Sequence, residues 1–226
     1  MSRGIIASLR DMVPIRPLTR IEALSVTERQ ALRLLELTGV NAPPVPERVA
    51  GELPRVQVIR SARIGHSGAS AWEQGRWRIV LNANDSRLRQ RFSLFHELKH
   101  ILDHPFARQL YGAVDGHERD DWIELVCDYF AGCVLMPRPW LKSAWTGGNQ
   151  RLSTLARQFD VSQAAMHTRL HQTGLAVQER RCGRHGSGRR GATYFRRGSV
   201  TAEAVAALAV TSHLISPTKA HRTVSK

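Results

Sequence analysis

The chain has 226 residues, 42% of them hydrophobic, and carries 33 Lys and Arg against 19 Asp and Glu, a formal net charge of +14. That size suits one core with a helical appendage, while three cysteines without a Cys-x-x-Cys pair exclude a disulfide framework and argue against a structural zinc finger. The basic excess alone would point to an acidic partner, but residues 1–175 hold 23 Lys and Arg against 17 Asp and Glu, and residues 176–226 hold 10 against 2, so more than half of it sits in the C-terminal stretch.

Arg3 is followed by only Ile5 to Leu9 before Arg10 and Asp11, too short an apolar run for a secretory signal, and a reducing cytoplasm is the expected compartment. Residues 1–27 read as an N-terminal extension. Ala31, Leu34, Leu35 and then Gly39 predict a first helix. After Pro43-Pro44-Val45, the run Val56-Gln57-Val58-Ile59 reads as a strand, and residues 76–81 read as a second with Trp77, Ile79 and Leu81 on one face. Between them lies the small-residue stretch Ser67-Gly68-Ala69-Ser70-Ala71.

From about Arg87 to Asp103 the apolar residues Phe92, Phe95, Leu98, Ile101 and Leu102 recur at helical spacing. Asp85 or Ser86 supplies a helix cap, and Pro105 opposes continuation beyond His104. Inside this helix the chain reads His96-Glu97-Leu98-Lys99-His100. Two imidazoles four positions apart project from one face and can reach a single small cation, and Glu97 then stands beside the ion. A carboxylate there can take a proton from a metal-activated water without occupying the open coordination position. The same letters would also occur on an ordinary amphipathic helix, so a third donor from another segment decides the matter.

Residues 118–136 again fit a helix through Trp122, Leu125, Val126, Phe130, Ala131, Val134 and Leu135, ended by Pro137 and Pro139. Glu124 and Asp128 lie one turn apart on it. Their spacing alone does not distinguish a metal ligand from a carboxylate favoured by the helix N-terminal dipole. Cys127 and Cys133 on this helix read as small buried thiols.

The string Arg91-Phe92-Ser93-Leu94 ahead of His-Glu-Leu-Lys-His, then Glu124, Asp128-Tyr129-Phe130-Ala131 and Leu135-Met136-Pro137, resembles the ImmA/IrrE family of metallopeptidases over about residues 28–175. The resemblance implies an α+β, zincin-like domain with a small sheet ahead of the active helix. It also implies a gluzincin-like site with His96, His100 and Glu124 on zinc, manganese as the alternative ion, Glu97 as general base, and Asp128 orienting a ligand. In such folds an edge strand near the metal binds the substrate main chain. Cys127 departs from the family pattern, which more often has Ala there. For a second oxyanion contact, His104, Tyr111, His117 and Tyr129 are candidates by residue type.

Leu155, Ala156, Phe159, Val161, Ala165, Leu170 and Leu175, with a turn at Asp160-Val161-Ser162 and a stop at Gly174, predict two short helices in a helix-turn-helix-like arrangement. A DNA-reading unit would use the second helix through His167, Thr168, Arg169, His171 and Gln172, with Thr168, Arg169 and Gln172 as the chief contacts; packing against the core is the alternative. Beyond it, Arg180-Arg181-Cys182-Gly183-Arg184, Gly188-Arg189-Arg190-Gly191 and Arg196-Arg197-Gly198 predict a disordered basic arm. Residues 201–215 are Ala- and Val-rich but too polar for a membrane span.

The sequence is thus expected to divide into an extension at 1–27, a metallopeptidase domain at 28–145, the helix-turn-helix-like segment at 146–177 and the basic arm at 178–226. The expected activity is cytoplasmic, zinc-dependent endoproteolysis, and the resemblance implies limited cleavage of a helix-turn-helix repressor. The alternative is a DNA-binding or repressor-sequestering regulator of the same fold that acts without cutting.

Overall fold

A computed structural model describes residues 4–112 and 116–175. In chain order the elements are α1 (Ile5–Arg10), α2 (Arg20–Leu37), α3 (Arg48–Gly51), β1 (Val56–Ser61), β2 (Gly68–Glu73), β3 (Arg76–Asn82), α4 (Arg87–Asp103), a 3-10 turn (His104–Phe106), α5 (Ala107–Tyr111), α6 (Gly116–Leu135), α7 (Arg138–Thr146), α8 (Leu152–Phe159) and α9 (Gln163–Thr173). The expected basic arm at 178–226, including the Ala- and Val-rich run at 201–215, lies outside the described residues. Among those described, no helix is long and apolar enough to cross a membrane.

Local chemistry sets the element ends. Thr19 accepts from the Glu22 backbone N–H while the Glu22 carboxylate accepts from Thr19 N–H at 2.9 Å, a capping box that opens α2. The Ser86 and Ser162 hydroxyls accept from the backbone N–H groups of Arg89 and Ala165 and so cap α4 and α9. Gly174, at φ +73°, closes α9 in the left-handed region that a glycine enters without steric cost.

The sheet has the order β1-β3-β2, with β1 parallel and β2 antiparallel to β3. The small residues 67–71, which carry no strand signal, include the start of β2. Gln74 and Gly75 both take positive φ, 48° and 77°, as a two-residue hairpin turn of type I′ requires, and they pair Glu73 with Arg76. β2 lies at one edge of this sheet and packs against α4.

One main core joins the layers. Leu94, Phe95, Leu98, Ile101 and Leu102 of α4 share it with Phe130, Ala131 and Val134 of α6, Ile79 and Leu81 of β3, and Leu155, Phe159, Met166 and Leu170 of α8 and α9. The expected extension at 1–27 does not stand apart from it. The boundary at residue 27 falls inside α2, Leu9 of α1 is fully buried, and Arg10 Nη2 donates to Ile101 O at 2.7 Å, near the end of α4. Below α4 runs a buried polar chain: Lys99 Nζ donates to Gln30 Oε1 at 2.8 Å and Asp103 Oδ1 at 2.7 Å, and Tyr111 Oη donates to Asp103 Oδ2. A fully buried ammonium is tolerated because these partners satisfy it.

Candidate metal centre

Helix α4 carries His96 and His100 one turn apart, with His96 almost fully enclosed at 1% exposure. Their Nε2 atoms face each other at 3.1 Å. On α6, packed against α4, Glu124 brings Oε2 to 3.3 Å from His96 Nε2 and Oε1 to 3.5 Å from His100 Nε2. Asp128, one turn further along α6, lies with Oδ1 2.7 Å from His96 Nδ1. A carboxylate only accepts, so Nδ1 carries a proton and the ring is oriented with Nε2 toward His100 and Glu124.

The spacing and charge of this group fit a divalent cation. Donors bound at about 2.0–2.1 Å to a tetrahedral zinc stand about 3.3 Å apart, and the three contacts among His96, His100 and Glu124 fall close to that value. Electrostatics point the same way. Burial alone would lower the His96 pKa, but its hydrogen bonds to Asp128 and Glu124 outweigh burial and raise it to about 9. Glu124, although partly withdrawn from solvent, is held well below the usual carboxylate range by hydrogen bonds from His100 and His96. Without an ion, the carboxylates therefore retain a proton on the imidazole between them. A bound cation would supply that positive charge instead.

Glu97 is 5% exposed and points toward β2. Ser70 Oγ donates to its Oε2 at 3.0 Å, and a Cβ added to Gly68 would stand 3.0 Å from Oε1 and 3.1 Å from Cγ. The Ser70 hydrogen bond holds the carboxylate against the edge strand, and the missing side chain at Gly68 leaves room for it. Neither Gly68 nor Ser70 was singled out from sequence, and the run of small residues across 67–71 was the available signal. Cys127 also belongs to the site. The metal-binding atoms of His96, His100 and Cys127 all lie within 4.8 Å of one another, and burial pushes the thiol pKa well above its ordinary value. Its position one turn after Glu124, on the same face of α6, was the sequence signal.

Other expectations are redirected. Arg169, expected to meet DNA, is 1% exposed. Its Nε donates to Met136 O at 3.1 Å, Nη2 donates to Glu28 Oε1 at 3.1 Å, and its guanidinium lies over the Tyr129 ring at 5.2 Å. That side chain ties α9 to α2 and α6 and is withdrawn from the surface. Thr168 and Gln172 remain exposed. Of the residues considered for oxyanion contact, Tyr111 donates to Asp103 and Tyr129 donates to Glu28 Oε2 at 3.0 Å, so both hydroxyl protons are engaged. His104 rests edge-on against Trp77 with ring centroids 5.4 Å apart, and His117 is exposed near the start of α6.

The family model described as the IrrE N-terminal-like domain, a peptidase family, matches residues 55–171, just over half of the chain. The radiation response metalloprotease IrrE of Deinococcus radiodurans is 28% identical over 106 residues, covering 44% of this chain and 32% of that protein. The chain thus aligns with only about a third of that relative's length. Among solved structures, a Mycobacterium tuberculosis transcriptional regulator superposes with a TM-score of 0.54 at 16% identity, over 79% of this chain and 54% of that one, a likeness of fold alone. The extent of the family match, over half of the chain and spanning residues 55–171, makes this chain a member of the ImmA/IrrE family of metallopeptidases.

Proposed function

We propose that the chain is a zinc-dependent endopeptidase in which His96, His100 and Glu124 hold the ion and Glu97 is the general base. The observation that carries this reading is the convergence of two imidazoles from α4 and a carboxylate from α6, with a second carboxylate held beside them by Ser70. When bound, zinc supplies Lewis acidity and lowers the pKa of water in the remaining position. Glu97 Oε1 or Oε2 accepts the proton lost by the attacking water and returns it to the leaving amine nitrogen. Ser70 restricts the swing of that carboxylate, Gly68 leaves it the room a side chain would take, and Asp128 holds the His96 ring in register. The edge strand β2, adjacent to Glu97, would take an extended substrate by main-chain pairing.

In this reading residues 28–145 form the peptidase domain, with α2 extending it toward the amino terminus, and residues 146–177 form a helix-turn-helix-like segment. The substrate is a helix-turn-helix repressor cut at a limited number of bonds, and the compartment is a reducing cytoplasm. Free, buried Cys127 and Cys133 support the compartment. The competing reading, a regulator that occupies DNA, keeps the exposed Thr168 and Gln172 but loses Arg169 as a contact.

The test incubates the metal-loaded chain and its Glu97→Gln variant with the helix-turn-helix repressor encoded beside it, and resolves products by mass spectrometry. We expect a defined cut from the native chain, with the rate falling about 10²–10⁴-fold in the variant at unchanged metal content. Equal cutting by both forms would exclude Glu97 as base.

A further inference from the structure

Besides Asp128, which holds His96 Nδ1, two side chains of α6 reach the imidazole pair. Glu124 does so through its carboxylate, and Cys127, three residues later, presents its thiol from the same face of the helix. Cys127 is fully buried and free of any disulfide. We infer that the Cys127 sulfur is a fourth protein donor to the ion held by His96, His100 and Glu124, which gives this chain a mixed nitrogen, oxygen and sulfur centre. The inference rests on the metal-centre reading above and adds a ligand to it.

The geometry leaves little to adjust. Around a tetrahedral zinc, with nitrogen at about 2.0–2.1 Å and sulfur at about 2.3 Å, nitrogen and sulfur donors stand about 3.5 Å apart. The donor atoms of His96, His100 and Cys127 already lie within 4.8 Å of one another, so the sulfur has at most about 1.3 Å to close on the imidazole nitrogens. Coordination replaces the S–H bond with a sulfur–metal bond, and the displaced proton leaves to solvent. No oxidant or reductant is needed.

A fourth protein donor changes what the centre does. Three donors leave one position for water, whereas four close a tetrahedral ion. With Cys127 bound the centre is latent, and it opens when the sulfur withdraws. The thiolate also biases the site toward zinc, cadmium and cobalt over manganese, because sulfur is a soft ligand.

The test uses the reduced full-length chain titrated with Co²⁺ and followed by absorption. We expect the visible d–d bands of a tetrahedral ion together with a near-ultraviolet sulfur-to-cobalt charge-transfer band. That band is lost in Cys127→Ser and Cys127→Ala with the d–d bands kept, and it persists in Cys133→Ser and Cys182→Ser. Circular dichroism checks that each variant is folded. Native d–d bands without the charge-transfer band, or a charge-transfer band that survives Cys127→Ser, would overturn the inference while leaving the three-ligand centre standing. If the native chain takes up no cobalt, or takes it up equally after His96→Ala, both this inference and the metal-centre reading fall.

Discussion

Two helices supply the candidate donors, so an ion held there should join α4 to α6 in the folded state and have no equivalent site in the unfolded chain. For one site with negligible affinity for the unfolded form, free zinc at 100 times its dissociation constant stabilises the fold by about 2.7 kcal/mol. For a chain of this length each kcal/mol moves the melting temperature by about 2–4 °C, so the expected rise is about 5–11 °C. The assay is thermal denaturation of the chelator-treated protein with and without zinc, after the dissociation constant has been fixed by titration. His96→Ala and Glu124→Gln are run in parallel, and the shift within each protein is compared, because losing a buried ring lowers stability by itself. Both variants should lose most of the zinc-dependent rise. A native melting temperature that does not move with zinc, or an equal rise in His96→Ala, would refute the reasoning.

Gly68→Ala puts a methyl group 3.0 Å from Glu97 Oε1 and forces a shift of a few tenths of an ångström. Peptide turnover should fall about tenfold with metal content unchanged, since misplacements near 1 Å cost about 100-fold; undiminished turnover would show that Glu97 is not the base. Arg169→Ala removes a buried guanidinium bonded to Met136 O and Glu28, and the urea midpoint should report a loss of about 2–3 kcal/mol. A change within the roughly ±0.5 kcal/mol of surface substitutions would mean that the side chain is not integral to the interior. Asp160 is held below its ordinary pKa chiefly by its hydrogen bond from Arg87, with help from Arg91. Because its folded pKa lies below the unfolded value, its contribution to stability is present above about pH 4 and is lost as pH falls through the folded pKa. Asp160→Asn suits the left-handed backbone at φ 55°, so its stability deficit should be plain at neutral pH and should shrink with acidification; a pH-independent deficit would rule out the charge as its cause.

The helices were legible where packing and caps agree. The apolar repeat from Phe92 to Leu102, opened by Ser86 and stopped near Pro105, delimits α4, and the repeat through Val126, Phe130 and Val134 marks α6. β2 was not legible, because Gly68, Ala69, Ser70 and Ala71 have little strand propensity. Their smallness answers a need that only the fold reveals, namely room for Glu97 against the strand. Arg169 misled for a different reason. Charge implies a surface position by default, and its interior position depends on Glu28, 141 residues away in the chain. Likewise nothing local in residues 1–27 announces that Arg10 will reach the end of α4.

The division of the centre between α4 and α6 has a wider consequence. His96 and His100 are fixed to one helix, Glu124 and Asp128 to the other, and the two helices are held together by a shared core that includes Leu98, Phe130 and Val134. Trimming one of these by a few methylene groups would let the helices settle closer or skew, and the first symptom would be faster escape of the ion rather than unfolding. Adaptation of ion retention in this chain is therefore open to apolar substitutions that never touch a ligand.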